Sequence, residues 1–338
     1  MKICICGGGN LGHVVAGFVA ARTEHEVCLL TRHPERWQKS IVVQRPDSQL
    51  PLIGTPSVIT DRPMEAVAGA DVIVLCLPGF SIREVLLKIK DCLKTDAIVG
   101  SVVSSTGFFF EAMAILSPEQ PLFGLQRVPF IARTAEYGHV AAILGYKESL
   151  AVAVAQTGRR EEIRQLCQEL FGTPTKLLDS HYEVSLSNSN PLLHPSRLYS
   201  LWKDWEPGTI YGRQPLFYEE WTEEAAQLYI DMDRELQELL EKLPVRRGAI
   251  PTVLDYYESR DAVTLSQKLR SIEAFKGIKA PMKAVAGGYV PDFGSRYFTE
   301  DFPYGLAIVE RLARETGMVV PTIERICRWG LGKIETAS

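Results

Sequence analysis

Two short stretches in the second half of the chain carry side chains suited to proton chemistry. In 187–202, SNSNPLLHPSRLYSLW, His194 follows Asn188 and Asn190 and stands directly before Pro195. Proline suits the first position of a helix, which places His194 at or beside a helix start. In 294–306, GSRYFTEDFPYGL, Arg296, Glu300 and Asp301 crowd into a polar segment that resumes as a helix after Pro303 and Tyr304. An imidazole, with an ordinary pKa of about 6.5, gives or takes a proton near neutrality; a carboxylate accepting its ring N–H fixes the tautomer and favours the protonated form. From residue types alone, two readings stay open at each place. His194 is an acid–base group or a helix cap with Asn190 in an Asx turn, and the carboxylates orient an imidazole or form a surface ion pair.

A second set of residues is suited to binding. GGGNLGHVVA satisfies G-x-G-x-x-G at Gly7, Gly9 and Gly12, with Asn10 and Leu11 completing the turn, directly after an apolar strand-like run and at the start of a helical one. Gly7 permits the tight turn, Gly9 lets the backbone approach a pyrophosphate, Gly12 lets helix and strand pack closely, and the helix N-terminus favours the phosphate charge. The acidic residue that binds the adenosine ribose of NAD is missing, because the second strand runs out in Leu30, Thr31, Arg32 and His33. Thr31 and Arg32 are donors for a 2′-phosphate, which favours NADP over NAD as cofactor. Leu77, Pro78 and Gly79, followed later by SSTGFFFEA at 104–112, form small-residue turns at strand ends, the side on which a doubly wound sheet receives the nicotinamide.

These groups must be positioned by a chain of 338 residues, long enough for two cores. From Lys2 to about Asp179, β-branched runs such as KICIC, EVCLL, DVIVLCLP, VAAILG and LAVAVAQ alternate with amphipathic stretches such as SIREVLLKIKDCL. That alternation implies an α/β, Rossmann-type doubly wound parallel sheet, followed by an all-α domain whose longest helix is WTEEAAQLYIDMDRELQELLEKL. The expected domains are 1–182 and 183–338. With 37 basic and 41 acidic residues and no basic cluster, no nucleic-acid partner is expected. No apolar run reaches membrane-spanning length, and the N-terminus enters a strand without a leader-like segment, so no membrane partner and a cytoplasmic location are expected. The seven scattered cysteines read as buried thiols rather than a disulfide framework or a metal site.

The segments GGGNLG, FGLQRVPFIARTAEYGHVAAILGYK, NPLLHPSRLY and RYFTEDFPYGL, in this order, resemble the octopine/nopaline (opine) dehydrogenases. The resemblance implies a nucleotide domain, a helical substrate domain, and reduction by NAD(P)H of the imine formed between an amino acid and a 2-oxo acid. It implies His194 and Asp301 as the catalytic pair, Asn190 beside the substrate and Arg296 near its carboxylate. Closure of an interdomain cleft is expected, since an iminium is hydrolysable. Gln126 and Arg127 stand where arginine-using members have an acidic residue and a threonine, and Ala132 where they have a cysteine. That departure disfavours a guanidinium-bearing substrate and suits a carboxylate beside Arg127. A homodimer is left open. The competing readings are a ketopantoate-reductase-like NADP-dependent hydroxy/keto acid dehydrogenase, which would rely on a lysine such as Lys203, Lys268 or Lys283, and a nucleotide-binding regulator without turnover.

Overall fold

In the computed structural model, which describes residues 1–337, the backbone forms two compact units, Met1–Ser187 and a second from Asn188 onward. The division falls a little beyond residue 182. The helix His181–Leu186 buries Glu183, Val184, Ser185 and Leu186, and Val184 joins the core of the first unit.

The strands of the first unit begin with β1 (Lys2–Cys6), β2 (Glu26–Leu30), β3 (Ile41–Arg45), β4 (Ser48–Gly54), β5 (Val58–Thr60) and β6 (Val72–Leu75). They continue with β7 (Ile98–Ser101), β8 (Leu122–Leu125), β9 (Phe130–Glu136), β10 (Val140–Tyr146), β11 (Leu150–Ala155) and β12 (Thr175–Leu177). The helices are α1 (Asn10–Arg22), α2 (Pro63–Val67), α3 (Gly79–Ile89), α4 (Phe108–Ile115), α5 (Arg160–Phe171) and α6 (His181–Leu186). The main sheet has the order β12-β11-β8-β7-β6-β1-β2-β5; it is parallel from β8 to β5, while β11 runs antiparallel to β8. Its central strands are apolar on both faces because both are covered. Ile3, Ile5, Val72 and Val74 pack with Val14, Phe18, Ile163 and Leu170 of α1 and α5. Cys4, Cys6, Ile73 and Leu75 pack with Ile82, Leu86, Phe109 and Ala112 of α3 and α4. The doubly wound α/β architecture is the one expected.

VAAILG does not join that sheet. It lies in β10, within a second sheet of order β4-β3-β10-β9. The burial of β10 alternates, with Ala141 and Ile143 inside and Leu144 exposed, as in a sheet covered on one face only. This sheet closes over α1 through two glycines: a Cβ on Gly54 would lie 2.1 Å from the Gly17 carbonyl oxygen, and one on Gly17 would lie 2.6 Å from Val43.

The second unit contains α7 (Asn190–Trp202), α8 (Glu223–Leu240), α9 (Val253–Tyr256), α10 (Ala262–Ser271), α11 (Arg296–Thr299), α12 (Ala307–Glu315) and α13 (Pro321–Ala337). It is not entirely helical: β13 (Met282–Val285) and β14 (Gly288–Pro291) form an antiparallel hairpin. The Thr222 side chain caps α8 by accepting the Ala225 N–H. A turn of π-helix, Phe302–Leu306, links the Asp301 segment to α12. The start of α7 also differs from expectation. The helix begins at Asn190, with Pro191 in the first turn where no N–H partner is lost, and Pro195 lies inside it. His194 is therefore a residue of the helix body and not a cap. Burial of 191–198 holds the helix together across Pro195. Arg197, one turn on from His194, is buried; its guanidinium donates to the carbonyls of Phe217 at 3.0 Å and Glu220 at 2.7 Å. This fastens the 217–220 segment to α7. No helix of the described residues is long and apolar enough to cross a membrane.

Two measurable consequences follow from buried bases. His181 sits among Phe109, Phe110 and Tyr182, and burial lowers its pKa from 6.5 to about 4. A base with a folded pKa below its unfolded value takes up a proton on unfolding, so stability falls as pH drops from 6.5 towards 4. Thermal melts of His181→Phe should show a shallower loss over that window than the wild type; an equally steep loss would remove His181 as its source. Arg197→Met strands two carbonyls and should cost about 3 kcal/mol, seen as a lower urea midpoint at constant slope.

Candidate active site

The carboxyl ends of β1, β2 and β6 open onto a cavity of about 600 Å³ whose walls include Gly7, Gly8, Gly9, Thr31, Arg32, Leu77, Pro78 and Tyr137. Gly7 has φ of +124°, and a Cβ there would lie 2.5 Å from the Cys76 carbonyl oxygen. Gly9 has open space where a side chain would be, so its backbone is free to approach a ligand. A Cβ on Gly12 would fall 1.8 Å from the Gly7 oxygen, so this glycine serves helix–strand packing. Asn10 and Leu11 are not on the cavity wall. The Asn10 side chain accepts the Thr134 N–H at 3.0 Å, and Leu11 packs against the core. Gly79 is buried at the start of α3, following Pro78 at its cap position. Thr31 is largely buried and its N–H donates to the Thr60 carbonyl, while Arg32 lies on the wall together with Arg36 and Lys88, opposed by Asp61 and Glu84. An open-backed glycine turn at the start of α1, in a polar-edged cavity of this size, fits a dinucleotide.

His13 is a residue of this region that sequence reasoning missed, although it follows Gly12 directly. It is fully buried. Its Nδ1–H donates to the Gly9 carbonyl at 2.9 Å, and its Nε2 accepts the Gly138 N–H at 2.7 Å. These two bonds define the neutral tautomer, and burial holds the pKa below its ordinary value. The ring stacks on Trp37 at 4.0 Å. His13 thus clamps the β9–β10 turn onto the glycine turn, which sets Tyr137 on the cavity wall with Arg36 over its ring at 4.2 Å.

In the second unit, His194 and Asp301 meet although 107 residues separate them. Nδ1–H of His194 donates to Oδ2 of Asp301 at 2.7 Å, and both residues are more than nine-tenths buried, at 9% and 8% exposure. A charge-assisted hydrogen bond in such surroundings is strong and fixes the ring orientation. Nε2 lies 2.8 Å from the Tyr218 hydroxyl, which donates to it while the imidazole is neutral. The Tyr297 ring stands edge-on at 4.6 Å, and Phe217 completes the enclosure at 5.8 Å. Tyr218 and Tyr297 were not legible as site residues; isolated tyrosines in WEPGTIYGRQPLFYEEW and RYF carry no spacing signal.

The remaining predicted residues fall outside this knot. Asn190 lies one helical turn before His194, on the same side of α7, and is exposed. Arg296 is exposed and 3.9 Å from Glu300. In the first unit, the Gln126 side chain donates to Ser187 Oγ at 2.9 Å, and Arg127 is exposed. Among the described residues there is no cluster of three or more His, Cys, Asp or Glu able to hold a metal.

Comparison with known proteins agrees with this division of labour. A family model described as NAD/NADP octopine/nopaline dehydrogenase, alpha-helical domain, matches residues 177–332, and one described as NAD-dependent glycerol-3-phosphate dehydrogenase N-terminus matches 2–117. The chain is 28% identical to octopine dehydrogenase of Pecten maximus, with 99% of this chain and 90% of the relative covered. It is 29% identical to tauropine dehydrogenase of Arabella iricolor, with 97% and 90% covered. A structure of octopine dehydrogenase with NADH and L-arginine superposes with a TM-score of 0.87 at 27% identity, covering 99% of this chain and 90% of that one. The second part of this chain thus matches the helical domain of the octopine/nopaline dehydrogenases, and nearly its whole length is similar to octopine and tauropine dehydrogenases, NAD(P)-dependent oxidoreductases acting on a CH–NH bond.

Proposed function

We propose that the protein joins an amino acid to a 2-oxo acid by reductive condensation, with His194 as general acid and base, Asp301 as its orienting partner, and NADP favoured over NAD. The observation that carries the reading is the buried 2.7 Å bond between His194 and Asp301. Hydrolysis-prone imine chemistry needs a proton donor that is already oriented, and Asp301 leaves Nε2 as the one ring atom at which a proton can be exchanged. Bound in the first unit, the cofactor supplies a hydride for the imine carbon. The Gly7–Gly9 turn and the start of α1 would hold its pyrophosphate, and Arg32, with Arg36 and Lys88 on the same wall, supplies positive charge for a 2′-phosphate. Exposed Arg296 is the group proposed to lie near the substrate carboxylate, with Asn190 beside the substrate. Gln126 and Arg127, in place of acidic and hydroxyl side chains, point away from a guanidinium-bearing amino donor and towards a carboxylate-bearing partner.

The test is consumption of NADPH or NADH by the purified protein with an oxo acid, with and without amino acids. A requirement for both organic partners supports the proposal, and consumption with the oxo acid alone supports a hydroxy/keto acid dehydrogenase. His194→Ala and Asp301→Asn should each lower kcat by about 10²- to 10⁴-fold while nucleotide binding, followed by fluorescence, is retained. An active His194→Ala protein would return this histidine to a structural role. For the cofactor, Arg32→Ala should weaken NADPH binding at least about tenfold more than NADH binding, the effect of one lost charge-assisted contact; equal weakening of both would place Arg32 away from the 2′-phosphate.

A further inference from the structure

The hydrogen-bonded pair does not end at the imidazole. With the Nδ1 proton held by Asp301, exchange must occur at Nε2, and the atom 2.8 Å from Nε2 is the Tyr218 hydroxyl. The Tyr218 hydroxyl is therefore the group in place to pass a proton between His194 and a reacting group. The Tyr218 ring is not free to swing: it stacks on Phe275 at 4.0 Å and on Trp221 at 5.9 Å. The backbone on either side of it is fastened to α7 by Arg197. A residue needed only to fill this aromatic wall would require no hydroxyl.

We propose that Tyr218 is a further catalytic residue of this site, through whose hydroxyl the proton passes between His194 Nε2 and the substrate. The inference rests on the imine-forming reaction proposed above.

A hydroxyl can accept and donate at once, which is what a relay requires. While His194 is neutral, Tyr218 donates to Nε2 and Nδ1–H donates to Asp301, so both bonds run inward. Tyr297, whose hydroxyl also interacts with that of Tyr218, is the outer neighbour and is only half-buried. When His194 is protonated, Nε2–H donates to the Tyr218 oxygen and the tyrosine O–H turns outward. In the forward reaction the amine nitrogen of the amino acid has added to the keto carbon of the oxo acid. The C–O bond of that adduct then breaks, its electron pair staying on oxygen. That oxygen takes the Tyr218 proton and leaves as water, Tyr218 takes the proton from Nε2, and the nitrogen lone pair forms the C=N bond. His194 ends neutral, and the iminium carbon is left open to the hydride that a bound NAD(P)H would supply. Burial, with Tyr297 beside it, holds the Tyr218 hydroxyl well above the ordinary tyrosine range. It therefore releases its proton only as it receives another, and no tyrosinate accumulates.

Tyr218→Phe keeps the ring stacking and removes only the oxygen. With the wild-type enzyme shown to need both organic partners, the variant should lose about 10- to 100-fold in the single-turnover rate of NAD(P)H oxidation, limited there by the loss of water that Tyr218 serves, with KM for both partners little changed. The solvent deuterium effect on that step should change as well. In ¹⁵N-histidine spectra of the protein without substrate, the Nε2 resonance of His194 should shift in Tyr218→Phe while Nδ1 stays protonated. A variant whose single-turnover rate remains within about twofold of wild type overturns the relay and leaves the His194–Asp301 chemistry standing. A wild-type protein that does not need both organic partners overturns both. An unmoved Nε2 resonance likewise counts against the relay, since the hydroxyl would then not be its partner.

Discussion

The hydrogen bond between His194 and Asp301 is the constraint around which the second unit is arranged. It joins the body of α7 to the segment between α11 and the π-helical turn, and it exists only because both side chains are withdrawn from water. Exposed, such a pair would contribute little. Buried and satisfied at both ends, it fixes one tautomer and one ring orientation. The surrounding architecture reads as support for that geometry. Pro191 starts the helix early enough to put His194 in its body, and Gly305 admits the Pro191 ring, since a Cβ there would lie 2.5 Å from the proline Cγ. Arg197 holds the Tyr218 segment against the same helix.

The first unit solves a different problem, how to bring backbone close to a large anionic ligand without unsatisfied polar groups. Its glycine turn is stiffened from outside the main sheet. His13, neutral and doubly bonded, links the Gly9 carbonyl to Gly138 N–H, and Asn10 holds Thr134 of β9. The four-stranded sheet covers α1 and, through Tyr137 in its β9–β10 turn, also contributes to the cavity wall. The same burial that lowers the pKa of His13 makes it a reliable strut near neutrality, because a second proton would expel the Gly138 donor. Buried histidines thus do different work in the two units: burial lowers the pKa of His13 and His181, whereas His194 is held in one orientation by its bond to Asp301.

Much of this was legible before any coordinates. The doubly wound sheet follows from short apolar runs alternating with amphipathic stretches, and the positions of Gly7, Gly9 and Gly12 follow from what a tight turn, an approaching phosphate and a close helix each demand of a backbone. Residue type drew attention to His194 and to the polar Arg296–Asp301 segment, and the resemblance to opine dehydrogenases singled out Asp301 as the partner. The boundaries were less secure. Pro195 looked like a helix start because proline usually marks one, but Pro191 already filled that place and burial carried the helix across the second ring. The second sheet was hidden because IVVQR and SQLPLIG mix polar residues and a proline with apolar ones, and their partners β9 and β10 lie far along the chain.

What the amino-acid order determined by itself is whatever depends on neighbours in the chain: turn chemistry, the periods of strands and helices, the helix cap at Thr222, and a composition without a polyanion-binding excess of charge. What only the tertiary structure decided is whatever depends on groups brought together from afar. The 2.7 Å bond across 107 residues, the tyrosine hydroxyl on Nε2, the tautomer of His13 and the sheet to which β10 belongs are all of this kind. Each is set by burial and by which partner is in reach, and neither quantity is a property of a local stretch of sequence.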